Sequence, residues 1–372
     1  MNPYLALPDS AFWRRSVSAL APEAVDPVVD VPFRIGREDA VATAGSCFAQ
    51  HISRTLVAEG FRYLVTESRP ATEGARDENY GVFPARFGNI YTVRQLLQLF
   101  QRAYGTFAPV DEAWERADGR FVDPFRPRIQ EGGFESRAAL LADRAAHLAA
   151  VRAMFEGCDV FVFTLGLTEA WVSSRDGAVF PLAAGVVAEK ADPDWTVFRN
   201  FTVGEMVRDL STFIEWVRRV NPGLRIVLTV SPVPLIATYE PRHVLVSTVA
   251  SKSALRVVAD EVSRNIPGVA YFPSYEIITG PQSGARYYQE DLREIRPEGV
   301  AHVMSIFRRH FLGEGAAVAR APAPRPAAAP ARPTAASPAA RGGLAARISA
   351  MEGTICDEEA LDVPAPVGGA RA

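Results

Sequence analysis

The chain has 372 residues, 48% of them apolar, enough for one large core or two modest ones. Lysine and arginine number 40 against 43 acids, a net charge of −3 that removes the electrostatic case for nucleic-acid binding. No apolar run approaches the roughly 20 residues that span a bilayer, and three cysteines, at 47, 158 and 356, are too few and too scattered for a disulfide framework or a zinc site.

The first residues, MNPYLALPDSAFWRRSV, lack a basic start followed by an apolar stretch, so no secretory signal is expected and a reducing, bacterial-type cytoplasm is the expected compartment. Residues 1–40 read as an N-terminal extension, and a first strand is expected at 41–44. It runs into Gly45-Ser46-Cys47-Phe48-Ala49 and a helix with Phe48, Ile52 and Leu56 at helical spacing and Gly60 as its stop. A second strand is expected at 61–65. The interval 66–150 is too long for a simple connection and reads as an insertion, a helix plus a surface elaboration. Within it Thr92 and Gln95 form a capping-box signature, and Asp118-Gly119 reads as a hairpin turn. Further strands are expected at 159–165, 225–231 and 268–272, with a second Asp-Gly hairpin at 176–177. A helix capped by Thr202 and Glu205 and a last helix entered at Pro297 complete the set. Near-continuous apolar strands alternating with amphipathic helices indicate an α/β fold, a parallel five-stranded sheet covered on both faces with added hairpins. The domain is expected to end at 312. Residues 313–341 are an Ala/Pro-rich linker with little to bury, and 342–372 a flexible tail. Within that tail, 344–351 has the pattern of a short amphipathic helix and Asp357-Glu358-Glu359 is an acidic patch. The alternative to disorder is a docking peptide for a protein partner.

Chemistry concentrates where a doubly wound sheet gathers ligands, at the carboxyl ends of its strands. Ser46 stands at a strand-to-helix turn, where its hydroxyl is lifted from the sheet edge beside backbone N–H groups able to stabilise an oxyanion. The bland alternative is a helix cap. Three more segments converge there: Phe87-Gly88-Asn89-Ile90-Tyr91, Thr164-Leu165-Gly166-Leu167-Thr168-Glu169, and the loop around Asp291-Leu292-Arg293-Glu294.

These blocks identify a resemblance. GSCFA at 45–49, supported by GNIYT, TLGLTEAW and SPVPLIAT, resembles the GSCFA-domain family, a branch of the SGNH (GDSL-like) hydrolase superfamily, over roughly residues 1–312. The resemblance implies a three-layer α/β/α, flavodoxin-like fold. It also implies esterase or carbohydrate O-acyl transfer chemistry through a serine nucleophile, with no metal and no cofactor. Ser46 matches the nucleophile, and Gly88 the second-block glycine of the oxyanion hole, with Asn89 as a neighbouring donor. Gly166 matches the third-block glycine. Thr168 and then Glu169 stand where an asparagine is expected, and Glu294 stands where the superfamily has the histidine of Asp-x-x-His.

A serine needs a base. The candidates are His302, in the second turn of the last helix, and His243, in the loop after the fourth strand, either oriented by Asp291; Glu294 is the carboxylate alternative. His51 is expected to face solvent, His147 to lie on a helix surface, and His310 at the far end of the last helix. Cys47 is a rival nucleophile, since a helix N-terminus lowers a thiol pKa. Trp171, Trp195, Tyr287 and Tyr288 are candidates for stacking on sugars or for loop anchors. Lys252 and Arg256 read either as an anion site or as a solvated helix face, the latter favoured. The expectation is a serine-dependent O-acyl ester hydrolase or acyltransferase acting on a carbohydrate or glycoconjugate. The alternative is a non-catalytic carbohydrate-binding or assembly module that keeps the fold and lacks the base.

Overall fold

The computed structural model describes residues 2–69, 79–188, 191, 193–313, 354 and 356–362. In chain order the elements are β1 (Val41–Gly45), α1 (Ala49–Ala58), α2 (Val93–Ala103), β2 (Trp114–Glu115), β3 (Phe121–Val122), α3 (Arg137–Gly157), β4 (Val160–Leu165), β5 (Glu169–Ser173), β6 (Val179–Phe180), α4 (Ala184–Val187), β7 (Thr196–Asn200), α5 (Val203–Val220), β8 (Arg225–Val230), α6 (Val244–Asn265), β9 (Val269–Phe272), α7 (Ser274–Thr279) and α8 (Pro297–Phe311).

Four strands form the central parallel sheet in the order β1-β4-β8-β9. Alternation of side chains across the sheet gives it two buried faces. Ala42, Ala44, Phe161, Phe163, Ile226 and Leu228 pack toward α2, α3, α5 and α6. Val41, Val160, Val162, Val227 and Phe272 pack toward α1, α7 and α8. The result is a three-layer α/β/α fold. The expected fifth strand at 61–65 is reduced to a single parallel bridge, Tyr63 to Val41, on the free edge of β1. The chain then turns away, because the Thr66 amide donates to the carbonyl of Pro84 at 2.7 Å and not to β1.

Both capping boxes form, at Thr92 with Gln95 and at Thr202 with Glu205. Asp118-Gly119 closes the β2–β3 hairpin, and Asp176-Gly177 lies between β5 and β6. A strand not foreseen, β7, adds to β5 on its other side and makes a three-stranded antiparallel sheet, β6-β5-β7. Ile35, in the N-terminal extension, donates to the Phe311 carbonyl at 2.7 Å and ties that extension to the end of α8.

The 66–150 insertion is fixed by a buried charge cluster. Asp123 accepts from Arg126 at 2.9 Å and from Arg144 at 2.7 Å, and Arg126 also reaches Asp143 at 2.7 Å. Arg86, 1% exposed, pairs with Asp143 at 2.9 Å. His147 is buried here against Glu67 at 2.8 Å, not on the surface. This cluster immobilises Arg86 and with it the following Phe87-Gly88-Asn89 segment. Among the described residues no helix is long and apolar enough to cross a membrane.

Residues 313–341 and the 344–351 pattern lie almost entirely outside the described residues. The acidic patch does not: residues 357–361 form a 3-10 turn, and Cys356, Asp357 and Glu358 are buried against the domain. The part of the expected flexible tail that is described is therefore docked.

Candidate active site

The turn that carries Ser46 exists because Gly45 ends β1 at φ +135° with Thr164 of β4 against it. A Cβ at Gly45 would lie 2.7 Å from the Thr164 amide nitrogen, so only glycine fits. The chain then bends through Ser46, Cys47 and Phe48, and α1 begins at Ala49, with Phe48 at its N-cap. Ser46 is therefore not the helix cap. Its amide donates to the Thr164 carbonyl at 3.2 Å, so the N–H expected in an oxyanion hole is engaged in this conformation. The Ser46 side chain is 4% exposed, and its hydroxyl has no hydrogen-bond partner among the described residues. An unpaired buried hydroxyl costs about 1–3 kcal/mol, and such groups call for an explanation in function or in an absent partner.

The neighbouring blocks meet at this hydroxyl. Gly166 lies directly against Ser46: a Cβ there would be 3.0 Å from the Ser46 Cβ and 3.3 Å from the Tyr91 ring. The Gly166 amide donates to the Tyr91 carbonyl at 3.1 Å. Its carbonyl accepts from Lys252 Nζ at 2.8 Å. Lys252 is 2% exposed, on α6, and burial pulls its pKa down to about 8 despite the opposing fields of Glu358 and Cys47. Lys252 is therefore not on a solvated helix face. Arg256, one turn on, is occupied elsewhere, by Glu276 and Asp260.

The docked tail fills the rest. Asp357 accepts from the Asn89 side-chain amide at 3.0 Å and from the Asn89 backbone N–H, and the Asp357 amide donates to the Tyr91 hydroxyl at 2.9 Å. Burial pushes the Asp357 carboxyl up to about 6, and burial with the neighbouring Cys356 sulfur pushes Glu358 up to about 8. Arg293 reaches Glu358 at 3.3 Å and the Cys356 sulfur at 3.8 Å. The neighbouring Cys47 thiol, aided by Arg293, lowers Cys356 to about 5 against the desolvation that opposes it, whereas Cys356 and burial raise Cys47. Both cysteines line a cleft of about 620 Å³ with His51, Arg293 and Glu294.

The remaining candidates sit apart from Ser46. Asp291 is exposed and accepts from the amides of Arg293 and Glu294 at 3.0 and 3.1 Å, so it shapes a turn rather than orienting an imidazole. Glu294 is exposed at the rim of the cleft. Of the Asp-x-x-Glu frame it is Arg293 that points inward. His302 bonds the Tyr287 hydroxyl at 2.8 Å in a separate pocket with Glu23 and Arg296. His243 is exposed and caps α6, accepting from the Leu245 amide at 3.1 Å. His51 packs its ring edge on Phe48, its pKa lowered by burial to about 4, and His310 pairs with Asp26 at 2.7 Å. No imidazole therefore reaches the Ser46 hydroxyl. Thr168 donates to the Ser251 hydroxyl at 3.1 Å and is tied to α6 rather than presented to a ligand. Glu169 accepts from Thr238 at 2.7 Å and anchors the 231–243 loop. Trp171 forms a ring cluster with Phe198 and Tyr239, the last 68% exposed. Trp195 sits under Arg175, and Tyr287 and Tyr288 serve as loop anchors, to His302 and the Pro232 carbonyl.

Two placements differ from the expectation: Lys252 is buried near the site rather than solvated, and the tail docks on this chain's own site rather than on a protein partner. The cue for Lys252 is its place in the α6 stripe with Leu255, Ala259 and Val262, all buried at helical spacing. The tail offers no such cue, since its docking depends on the assembled pocket.

No curated protein matches the chain. A solved structure from Streptococcus pneumonia, designated a candidate platelet activating factor, is similar at 15% identity and a TM-score of 0.25; the match covers 46% of this chain and 66% of that one, just under two thirds. The GSCFA family model matches residues 40–307, and the chain belongs to the GSCFA family.

Proposed function

We propose that this protein is a serine-dependent O-acyl ester hydrolase or acyltransferase that forms an acyl-enzyme at Ser46, with a carbohydrate or glycoconjugate as the acyl carrier. The observation that carries the reading is the Ser46 hydroxyl itself, held at the carboxyl end of β1 and unpaired, against Gly166, whose carbonyl accepts from the buried Lys252. Lys252 takes the place of the missing imidazole: its neutral amine accepts the serine proton as the hydroxyl attacks the acyl carbonyl. The Asn89 amides supply the oxyanion donors. Their present ligand, the Asp357 carboxylate, stands in for the anionic oxygen of a tetrahedral intermediate. Water or a sugar hydroxyl then resolves the ester. The Trp171–Phe198–Tyr239 cluster, next to the Glu169 anchor, is the candidate surface for a sugar ring.

A fluorophosphonate probe, applied to the reduced full-length chain, is expected to label wild type on Ser46 and to leave Ser46→Ala unlabelled. A second reading, a non-catalytic carbohydrate-binding or assembly module, is favoured by one observation: no imidazole reaches Ser46. Unlabelled wild type that binds glycan as tightly as Ser46→Ala would establish it.

A further inference from the structure

Two of the three cysteines, at positions 47 and 356, line one cleft although the chain holds no disulfide between them. Cys47 is rooted in the turn after β1. Cys356 belongs to the segment lying across the Ser46 site, with Arg293 and the Tyr91 hydroxyl, 3.8 and 3.9 Å from its sulfur. The Arg293 guanidinium against the Cys356 sulfur favours its thiolate, opposed by the Glu358 carboxylate 3.9 Å away. The third cysteine, Cys158, is buried at the end of α3 with its thiol on the Phe155 carbonyl, a structural residue whose pKa burial drives up. Both residues of the pair line the cleft of about 620 Å³, a volume open to a molecule the size of a peroxide.

We propose that Cys47 and Cys356 are a peroxide-responsive thiol pair whose disulfide clamps the C-terminal segment over Ser46. The Cys356 thiolate attacks one oxygen of a hydroperoxide. The O–O bond breaks, the leaving oxygen takes a proton to depart as water or an alcohol, and Cys356 becomes a sulfenic acid. Cys47 then attacks that sulfur, the S–O bond breaks, and the hydroxyl leaves as water with the Cys47 proton. In balance, two thiols and one hydroperoxide give one disulfide, one water and one alcohol or second water, with sulfur losing two electrons and the peroxide gaining them. Reduction by a dithiol reverses the clamp. Before oxidation the segment is held by non-covalent contacts, those of Asp357 and Glu358 together with Arg128 on the Cys356 carbonyl at 2.8 Å, and can exchange with a ligand. After oxidation it cannot leave. The pair is independent of whether Ser46 is acylated.

The test uses the reduced full-length chain, treated with equimolar hydrogen peroxide, alkylated, digested with trypsin and read by mass spectrometry. The tryptic peptide 38–54 carries Cys47 and 348–371 carries Cys356. The expected product is these two peptides joined, lighter by two hydrogens, in the majority of chains, with Cys158 alkylated. The link is lost on adding dithiothreitol and forms equally in Ser46→Ala, which separates this result from the fate of the serine reading. Arg293→Gln is expected to slow its formation about tenfold by weakening the thiolate. Both thiols remaining alkylatable, a link to Cys158, a link between two chains, or sulfinate on Cys356 without the link would each overturn the proposal.

Discussion

Replacing Lys252 by methionine separates the proposed base from the scaffold. The ammonium is buried and donates to the Gly166 carbonyl at 2.8 Å, and its pKa is near 8 rather than the usual 10.5. At pH 7 that places about one lysine in ten in the neutral, proton-accepting form, against about 3 in 10,000 for an unperturbed lysine. The environment thus raises the supply of base roughly 300-fold. Methionine has similar volume and no proton to exchange. The lost donor to Gly166 costs about 1–3 kcal/mol, and removing a buried charge offsets it by a comparable amount, so net stability should change by no more than about 2 kcal/mol. Hydrolysis of an aryl acetate, under reducing conditions, should fall about 10²- to 10⁴-fold, the range for loss of a general base. The wild-type rate should climb with pH to a plateau through about 8, whereas Lys252→Met should be flat across that window. Lys252→Arg keeps a charge but cannot deprotonate, so it should be equally slow. The linkage runs the same way: a lysine whose folded pKa is depressed adds stability at high pH that is lost as pH falls through about 8, and that slope should vanish in Lys252→Met. A folded Lys252→Met with the wild-type rate and the wild-type pH profile would refute the assignment.

Three further outcomes follow from the geometry. Gly45→Ala puts a methyl against Thr164, 2.7 Å from its amide nitrogen, at φ +135°, and should lower stability by at least about 3 kcal/mol in a denaturant titration. Asp123→Asn takes one counter-ion from buried Arg126, leaving it Asp143, and takes that of half-buried Arg144, and should cost about 3–5 kcal/mol, read as a drop of roughly 6–20 °C in Tm. Burial raises the Asp123 carboxyl but the two arginines outweigh it and hold it below the usual range, so its stabilisation is present above about pH 4 and lost on acidification; wild type should lose more stability than Asp123→Asn below that point. The 240-nm thiolate absorbance of the reduced chain should show an inflection near pH 5 that Cys356→Ser abolishes.

The sheet was legible because its four strands are apolar runs buried on both faces, and such runs announce themselves regardless of neighbours. Residues 61–65 have the same look, yet pairing there ends after Leu64, whose amide donates to the Val41 carbonyl, since the acceptor of the Thr66 amide, the Pro84 carbonyl, belongs to the insertion. The turn at Ser46 was legible through Gly45, whose contact with Thr164 excludes a side chain. The base was not. Histidine is the habitual partner of a serine, and the search for one led to His302 and His243, both engaged elsewhere. Lys252 and His147 were read as surface groups because charged residues usually are, although each lies in a buried helical stripe, with Leu255 and Ala259 in one case and Val151 and Met154 in the other. Docking of residues 356–358 joins segments 65 and 268 positions apart by hydrogen bonds and ion pairs, which leave no periodic trace in the chain.

The most direct measurement is the mass of the tryptic peptide 38–54 after the reduced chain is mixed with an aryl acetate and quenched in acid within the first turnovers. The account predicts one acetyl group on Ser46, absent in Ser46→Ala and slow to build up in Lys252→Met. An acetyl group on Cys47 with Ser46 bare, or no acetyl group on this peptide while the ester is consumed, would contradict it.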